Sequence, residues 1–130
     1  MPEQIVYSKR LELKLSSANV LGHWSKRYAL NKKIRAQVRA QCHDIRSIEL
    51  PCTIILTRES PKLMDYDNFV YACKHLVDVI ADMLIPGLAP GRADGDKRLK
   101  FVYEQVKRTG KQYFVCISVK KTFANISSDC

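Results

Sequence analysis

Acidic residues are scarce in this chain: 13 Asp and Glu stand against 22 Lys and Arg in 130 residues, a formal charge of +9 with a pI near 9.5. A balance of this sign disfavours basic partners and favours a polyanion, nucleic acid first, although a basic surface also serves plain solubility. No apolar run approaches the roughly 20 residues that a membrane helix needs, and nothing at the N-terminus has the layout of a signal peptide. Neither a membrane association nor export is therefore expected, and the expected compartment is the cytoplasm. Cys-x-x-Cys pairs are absent. The five cysteines, Cys42, Cys52, Cys73, Cys116 and Cys130, are scattered and odd in number, which fits a reducing compartment best. His23, His43 and His75 lack the spacing of zinc ligands, so no zinc site is assigned. Internal repeats and low-complexity tracts are also missing, and the length suits one domain over residues 1–130 with a polar tail from about 121.

Against this basic background one stretch concentrates acid: Met64-Asp65-Tyr66-Asp67-Asn68-Phe69, which opens a helical pattern expected to run over residues 66–84. Phe69, Cys73, Leu76, Val77, Ile80 and Leu84 fall on one face, the stripe of a helix packed on a core. At about 100° per residue, Asp67, Tyr71, Lys74 and Asp78 share another stripe and can face one ligand. Asp65 precedes the helix and can turn toward Asp67. Two carboxylates so close repel unless a cation lies between them, and an all-oxygen donor set selects Mg²⁺ or Mn²⁺. Three blander roles compete. Either Asp could cap the helix, though a cap needs only one. An EF-hand loop counted from Asp65 fails, because Val70 stands where Gly is required and Leu76 where a bidentate Glu is required. The polar stripe could also be a solvated face, most plainly at Asp78 and Asp82.

Along the rest of the chain, residues 5–15 alternate as a half-buried strand with Leu11, Leu13 and Leu15 inward. A helical pattern capped by Ser25 runs from Trp24 to about Ile45, with Trp24, Tyr28, Leu30, Ile34, Val38, Cys42 and Ile45 as candidate buried positions. It carries Lys26, Arg27, Lys32, Lys33, Arg35, Arg39 and Arg46 against one acid, Asp44. That density points to a surface tracking phosphates. Residues 52–57 are β-branched and read as an interior strand. A Pro- and Gly-rich loop over 85–96 carries Asp94 and Asp96. Residues 99–107 and 112–120 alternate as two strands joined by Arg108-Thr109-Gly110-Lys111, the signal of a hairpin. The order β, α, β, α, β, β predicts an α/β or α+β domain in which a mixed sheet packs against two long helices.

With these features placed, the chain resembles the RusA family of Holliday junction resolvases of bacteria and their phages. The resemblance rests on Asp65-Tyr66-Asp67-Asn68 at a helix start, on Lys74 and Asp78 within that helix, and on Asp94 in the loop before a basic strand region. Asn19 and Trp24-Ser25-Lys26-Arg27 are similar to the family's N-terminal pattern, so the likeness spans residues 17–119. Two departures stand out. The best-known members carry their catalytic Lys one turn after the second Asp, where this chain has Tyr71 and places Lys74 a further turn on. Their later acidic pair is adjacent, whereas Gly95 here separates Asp94 from Asp96. The resemblance implies a RusA-like fold and a homodimeric, Mg²⁺-dependent endonuclease (Mn²⁺ substituting) that cuts branched DNA symmetrically in the cytoplasm of a bacterium or phage-infected cell. No small-molecule cofactor is implied. Asp65, Asp67 and either Asp94 or Asp96 would hold the metal. Asp65, Asp67, Lys74 and Asp94 would be catalytic. Lys26, Arg27, Lys32, Lys33, Arg35, Arg39, Lys97 and Arg98 would hold DNA. The competing expectation is a DNA-binding or recombination-accessory protein of the same fold that does not cut. An RNA-binding module ranks last for want of a stacking-aromatic motif.

Overall fold

A computed structural model describes residues 4–15, 24–86 and 96–121, with the side chains of residues 4 and 24–27 excepted. Four strands form one mixed sheet in the order β1 (Gln4–Glu12), β4 (Phe114–Lys121), β2 (Cys52–Ser60), β3 (Leu99–Lys107). β4 runs antiparallel to both β1 and β2, while β2 and β3 are parallel from Cys52↔Leu99 to Ser60↔Lys107. The helices α1 (Trp24–Gln41), α2 (Tyr66–Ala72) and α3 (Lys74–Leu84) fill the crossovers between parallel strands. The domain is α+β, and among the described residues no helix is long and apolar enough to cross a membrane.

The core forms where the alternating inward residues of the sheet meet the helices' apolar stripes. Leu11, Ile54, Leu56, Val115, Ile117 and Val119 meet Ile34 and Val38 from α1, Phe69 from α2 and Leu76 and Ile80 from α3, all essentially without solvent exposure. Each such side chain contributes about 1.5–3 kcal/mol relative to exposure. Cys42, Cys52 and Cys73 are free thiols inside this core. Burial pushes Cys52 up to about 11 and Cys73 up to about 12, so both stay protonated.

Four details depart from the periodicity. The pattern over 66–84 forms two helices. At Cys73 (φ −84°, ψ −5°) the backbone tightens, and its N–H is shared between the carbonyls of Phe69 (3.0 Å) and Val70 (3.2 Å). The i→i−4 bonds nevertheless continue on both sides, with Val77 N–H to the Cys73 carbonyl at 2.9 Å, so the two faces keep their register. The first helix starts at Trp24, with Ser25 inside it, and ends at Gln41. The chain then tightens into a 3₁₀ helix (His43–Ser47) that still buries Ile45. Its Asp44 accepts a hydrogen bond from the Tyr7 hydroxyl at 2.9 Å, which fastens it to β1.

The third departure is topological. Residues 99–107 and 114–121 are strands, but they are not a hairpin, because β2 lies between them and pairs with both. The 108–113 connection steps over the end of β2, where Arg108 N–H bonds the Ser60 carbonyl at 2.9 Å. Two strand spacings of about 4.8 Å are within reach of such a loop. Gly110 supplies the turn at φ 100°, and space does not restrict the position, since an added Cβ would meet nothing within 4 Å. Finally, Tyr28 is 64% exposed. It lies six residues before Ile34, about 120° round the helix from the buried stripe.

Candidate functional site

The acid cluster sits just beyond the carboxyl end of β2, the end of a parallel strand pair where α/β proteins place their ligand crevices. What fixes it there is a small polar network. Arg58, 6% exposed on β2, donates from Nη1 to the Lys62 carbonyl (3.0 Å) and to Gln105 Oε1 (3.0 Å). Ser60 Oγ donates to the same Lys62 carbonyl at 2.8 Å. Gln105 on β3 then grips Met64 by both backbone groups, accepting its N–H at 3.0 Å and donating to its carbonyl at 2.9 Å. The residue before Asp65 is thereby pinned to the sheet. One turn on, Phe69 lies edge-on to Tyr103 of β3 with ring centroids 6.0 Å apart, and Tyr66 does the same at 6.4 Å. Together these contacts hold α2 at both ends of its first turn.

Asp65 is the N-cap residue of α2 in extended conformation (φ −57°, ψ 146°), and its carboxylate makes no cap hydrogen bond. Its carbonyl alone enters the helix, accepting Phe69 N–H at 2.9 Å. Capping therefore does not explain this side chain. Asp67 lies in the first turn, and Asp65 and Asp67 are both solvent-exposed. Tyr71 and Lys74 follow on the same face, exposed, with Asp78 half-buried beyond them. Lys74 is about 10 Å along the axis from Asp67, and its long side chain leans toward the helix N-terminus.

Asp96 does not join this group. It precedes Leu99 at the opposite end of β3 from Gln105, and six residues of strand span roughly 20 Å. Its carboxylate is committed to Arg98, accepting from the backbone N–H (2.9 Å), Nε (3.0 Å) and Nη2 (3.0 Å). Those bonds pull its pKa down to about 2. Asp96, expected beside Asp65 and Asp67 as a metal ligand, is instead placed at the other end of β3 and paired with Arg98. Asp94 lies outside the described residues, as do the side chains of Lys26 and Arg27. Among the described residues no three acidic, His or Cys side chains form a group able to hold a metal. Two oxygen donors, Asp65 and Asp67, are what the described site offers. That fits Mg²⁺, which binds through one or two carboxylates and fills its other positions with water and phosphate oxygens.

Of the residues expected to hold DNA, Lys32, Lys33, Arg39 and Lys97 are exposed. Arg98 is drawn to Asp96. Arg35 is half-buried, its Nη2 3.0 Å from His75 Nδ1. Sequence reasoning gave His75 no role, and its position beside Lys74 was the only signal. Burial first, then the Arg35 charge and more weakly Lys74, lower its pKa, with Asp78 opposing. The ring is thereby kept neutral, so that Nδ1 can accept from Arg35. No protein-family model matches this chain, and no curated protein matches it.

Proposed function

We propose that the protein is a Mg²⁺-dependent endodeoxyribonuclease of the RusA-like kind, acting as a homodimer on four-way junctions or related branched DNA. The observation that carries the reading is Asp65: a carboxylate at the head of a helix, not used as its cap, beside the exposed Asp67 and on a backbone clamped to the sheet. Asp65 and Asp67 would hold the ion, with Asp94 the remaining candidate for a third carboxylate. Bound there, Mg²⁺ would supply Lewis-acid polarisation of the scissile phosphate and a more acidic bound water. The ammonium of Lys74 offsets the negative charge that grows on the phosphate as it is attacked. The exposed cations of α1 hold the DNA through phosphate contacts. Two-fold related copies would make the paired incisions that a two-fold junction presents.

A second reading is a DNA-binding protein of the same architecture that does not cut. The distance of Asp96 from Asp65 and Asp67 favours it, since it leaves two carboxylates at the described site. Incubating the purified chain with labelled four-way, three-way and linear duplex DNA in Mg²⁺, Mn²⁺ or EDTA separates the two. Junction cleavage with either metal and none in EDTA is expected; junction binding without cleavage under any condition would establish the second reading.

A further inference from the structure

Between α1 and α3 lies a cavity of about 390 Å³ lined by Tyr28, Asn31, Lys32, Arg35, Arg39 and His75. Its size is within the range of small-ligand sites, about 300–1,000 Å³. Tyr28, Lys32, Arg35 and Arg39 follow one another at i, i+4, i+7 and i+11, so one stripe of α1 brings an aromatic ring and three cations to the same wall. Among the described residues no acidic side chain lines it. Arg35 is the informative member. The described partner of its guanidinium is a ring nitrogen of His75, not a carboxylate, and its Nε is buried with no hydrogen-bond partner. A neutral imidazole orients the guanidinium without cancelling its charge. Asp78, whose charge His75 senses, is not part of the lining. Three cations thus converge on a cavity whose described wall supplies no counter-charge, and a phosphate matches the Arg fork in shape as well as sign.

Tyr28 decides what kind of phosphate. A ring left 64% exposed at the rim of a cationic cavity is a stacking platform of the sort single-strand-binding sites combine with basic grooves. We propose that this cavity seats one nucleotide of unpaired DNA, its phosphate on Arg35 flanked by Lys32 and Arg39 and its base against Tyr28. Duplex DNA presents phosphates but no free base face, so the site distinguishes an unpaired strand from a duplex. The proposal rests on the reading above only in taking DNA as the ligand.

The test is fluorescence anisotropy of the full chain in EDTA with a labelled short oligothymidylate, a duplex of the same length and, as competitor, thymidine monophosphate. The variants Tyr28→Leu, Lys32→Gln and Arg39→Gln all alter exposed side chains. Tyr28→Leu is expected to weaken single-strand binding about tenfold and leave duplex binding unchanged. Lys32→Gln and Arg39→Gln should each lower the slope of log affinity against log salt for the single strand by about 0.7. Equal loss on single strand and duplex in Tyr28→Leu, wild-type single-strand binding in all three variants, or no displacement of the oligonucleotide by excess monophosphate would each overturn it. Because EDTA removes cleavage from the assay, a protein that never cuts DNA can pass and an active nuclease can fail.

Discussion

Gln105 holds Met64 by its amide N–H and its carbonyl at once, at 3.0 and 2.9 Å, and so ties β3 to the residue that precedes Asp65. The same Gln105 oxygen also accepts from the buried Arg58. Replacing Gln105 by Leu leaves two backbone groups and part of a guanidinium without partners in a half-buried setting. The expected loss is about 2–4 kcal/mol of stability, from roughly 1–3 kcal/mol per unpaired group with partial rescue by water. Chemical denaturation measures it. If the clamp also sets the direction of Asp65, the folded variant will bind Mg²⁺ more weakly than wild type in calorimetry, whereas a purely structural role leaves metal binding unaltered.

Asp67→Asn is expected to abolish junction cleavage while junction binding persists or tightens, because the change removes an oxygen ligand and also a charge that repels phosphate. Asp96→Asn should leave cleavage near wild type, since this carboxylate lies at the far end of β3 on Arg98. Its effect is on acid stability. The folded pKa of Asp96 is depressed to about 2, so its contribution is present above the unfolded value near 3.9 and lost as pH falls toward 2. Acid unfolding curves of the variant should be flatter in that window; loss of cleavage in Asp96→Asn would return this residue to the metal site.

The imidazole of His75 is expected to titrate below the usual value of about 6.5, because burial, then Arg35 and then Lys74, favour the neutral ring over the opposing Asp78. With the folded pKa depressed, the contribution is whole above the unfolded pKa and is lost as pH falls through the folded one. NMR titration of the ring checks this directly. Arg35→Gln should move the midpoint upward but not fully to 6.5, since burial is the larger cause; a midpoint above 6.5 in the wild type would contradict the Arg35–His75 geometry.

The strands and the buried stripes were legible in the sequence because period-2 and period-3.6 patterns report directly on which face meets the core. Leu11, Ile34, Val38, Phe69, Leu76 and Ile80 are all buried as their spacing requires. Pairing was not legible. The alternation in residues 99–107 and 114–121 marks strands without naming their neighbours, so the turn residues suggested a hairpin where β2 in fact intervenes. The approach of Asp67, Tyr71 and Lys74 on one face could be read locally, since helical spacing fixes it. The distance of Asp96 could not, because it depends on the direction of β3 relative to β2. Tyr28 was misplaced by extending the apolar stripe one residue type too far: an aromatic counts as core in a periodicity search even when it stands about 120° off the stripe.

Lys74 is where a solvated face and a working one differ most. It is exposed at the start of α3, on the stripe that carries Asp67 and Tyr71. As an ordinary surface lysine, Lys74→Ala would change stability by a few tenths of a kcal/mol, within the roughly ±0.5 kcal/mol of such substitutions, and leave nuclease activity intact. If its ammonium faces the scissile phosphate, the same change lowers the cleavage rate by roughly one to three orders of magnitude, as the loss of one electrostatic stabiliser does. Binding should weaken far less, because a single lysine is a small part of the total phosphate contact. The Cys73 interruption does not remove this expectation, since the hydrogen bonds on either side of it keep both helices in register. Tyr71→Lys in the Lys74→Ala background puts an ammonium one turn closer to Asp67. Partial recovery of single-turnover cleavage is the expected result and would locate the phosphate along this stripe; a fully active Lys74→Ala protein would remove Lys74 from the mechanism.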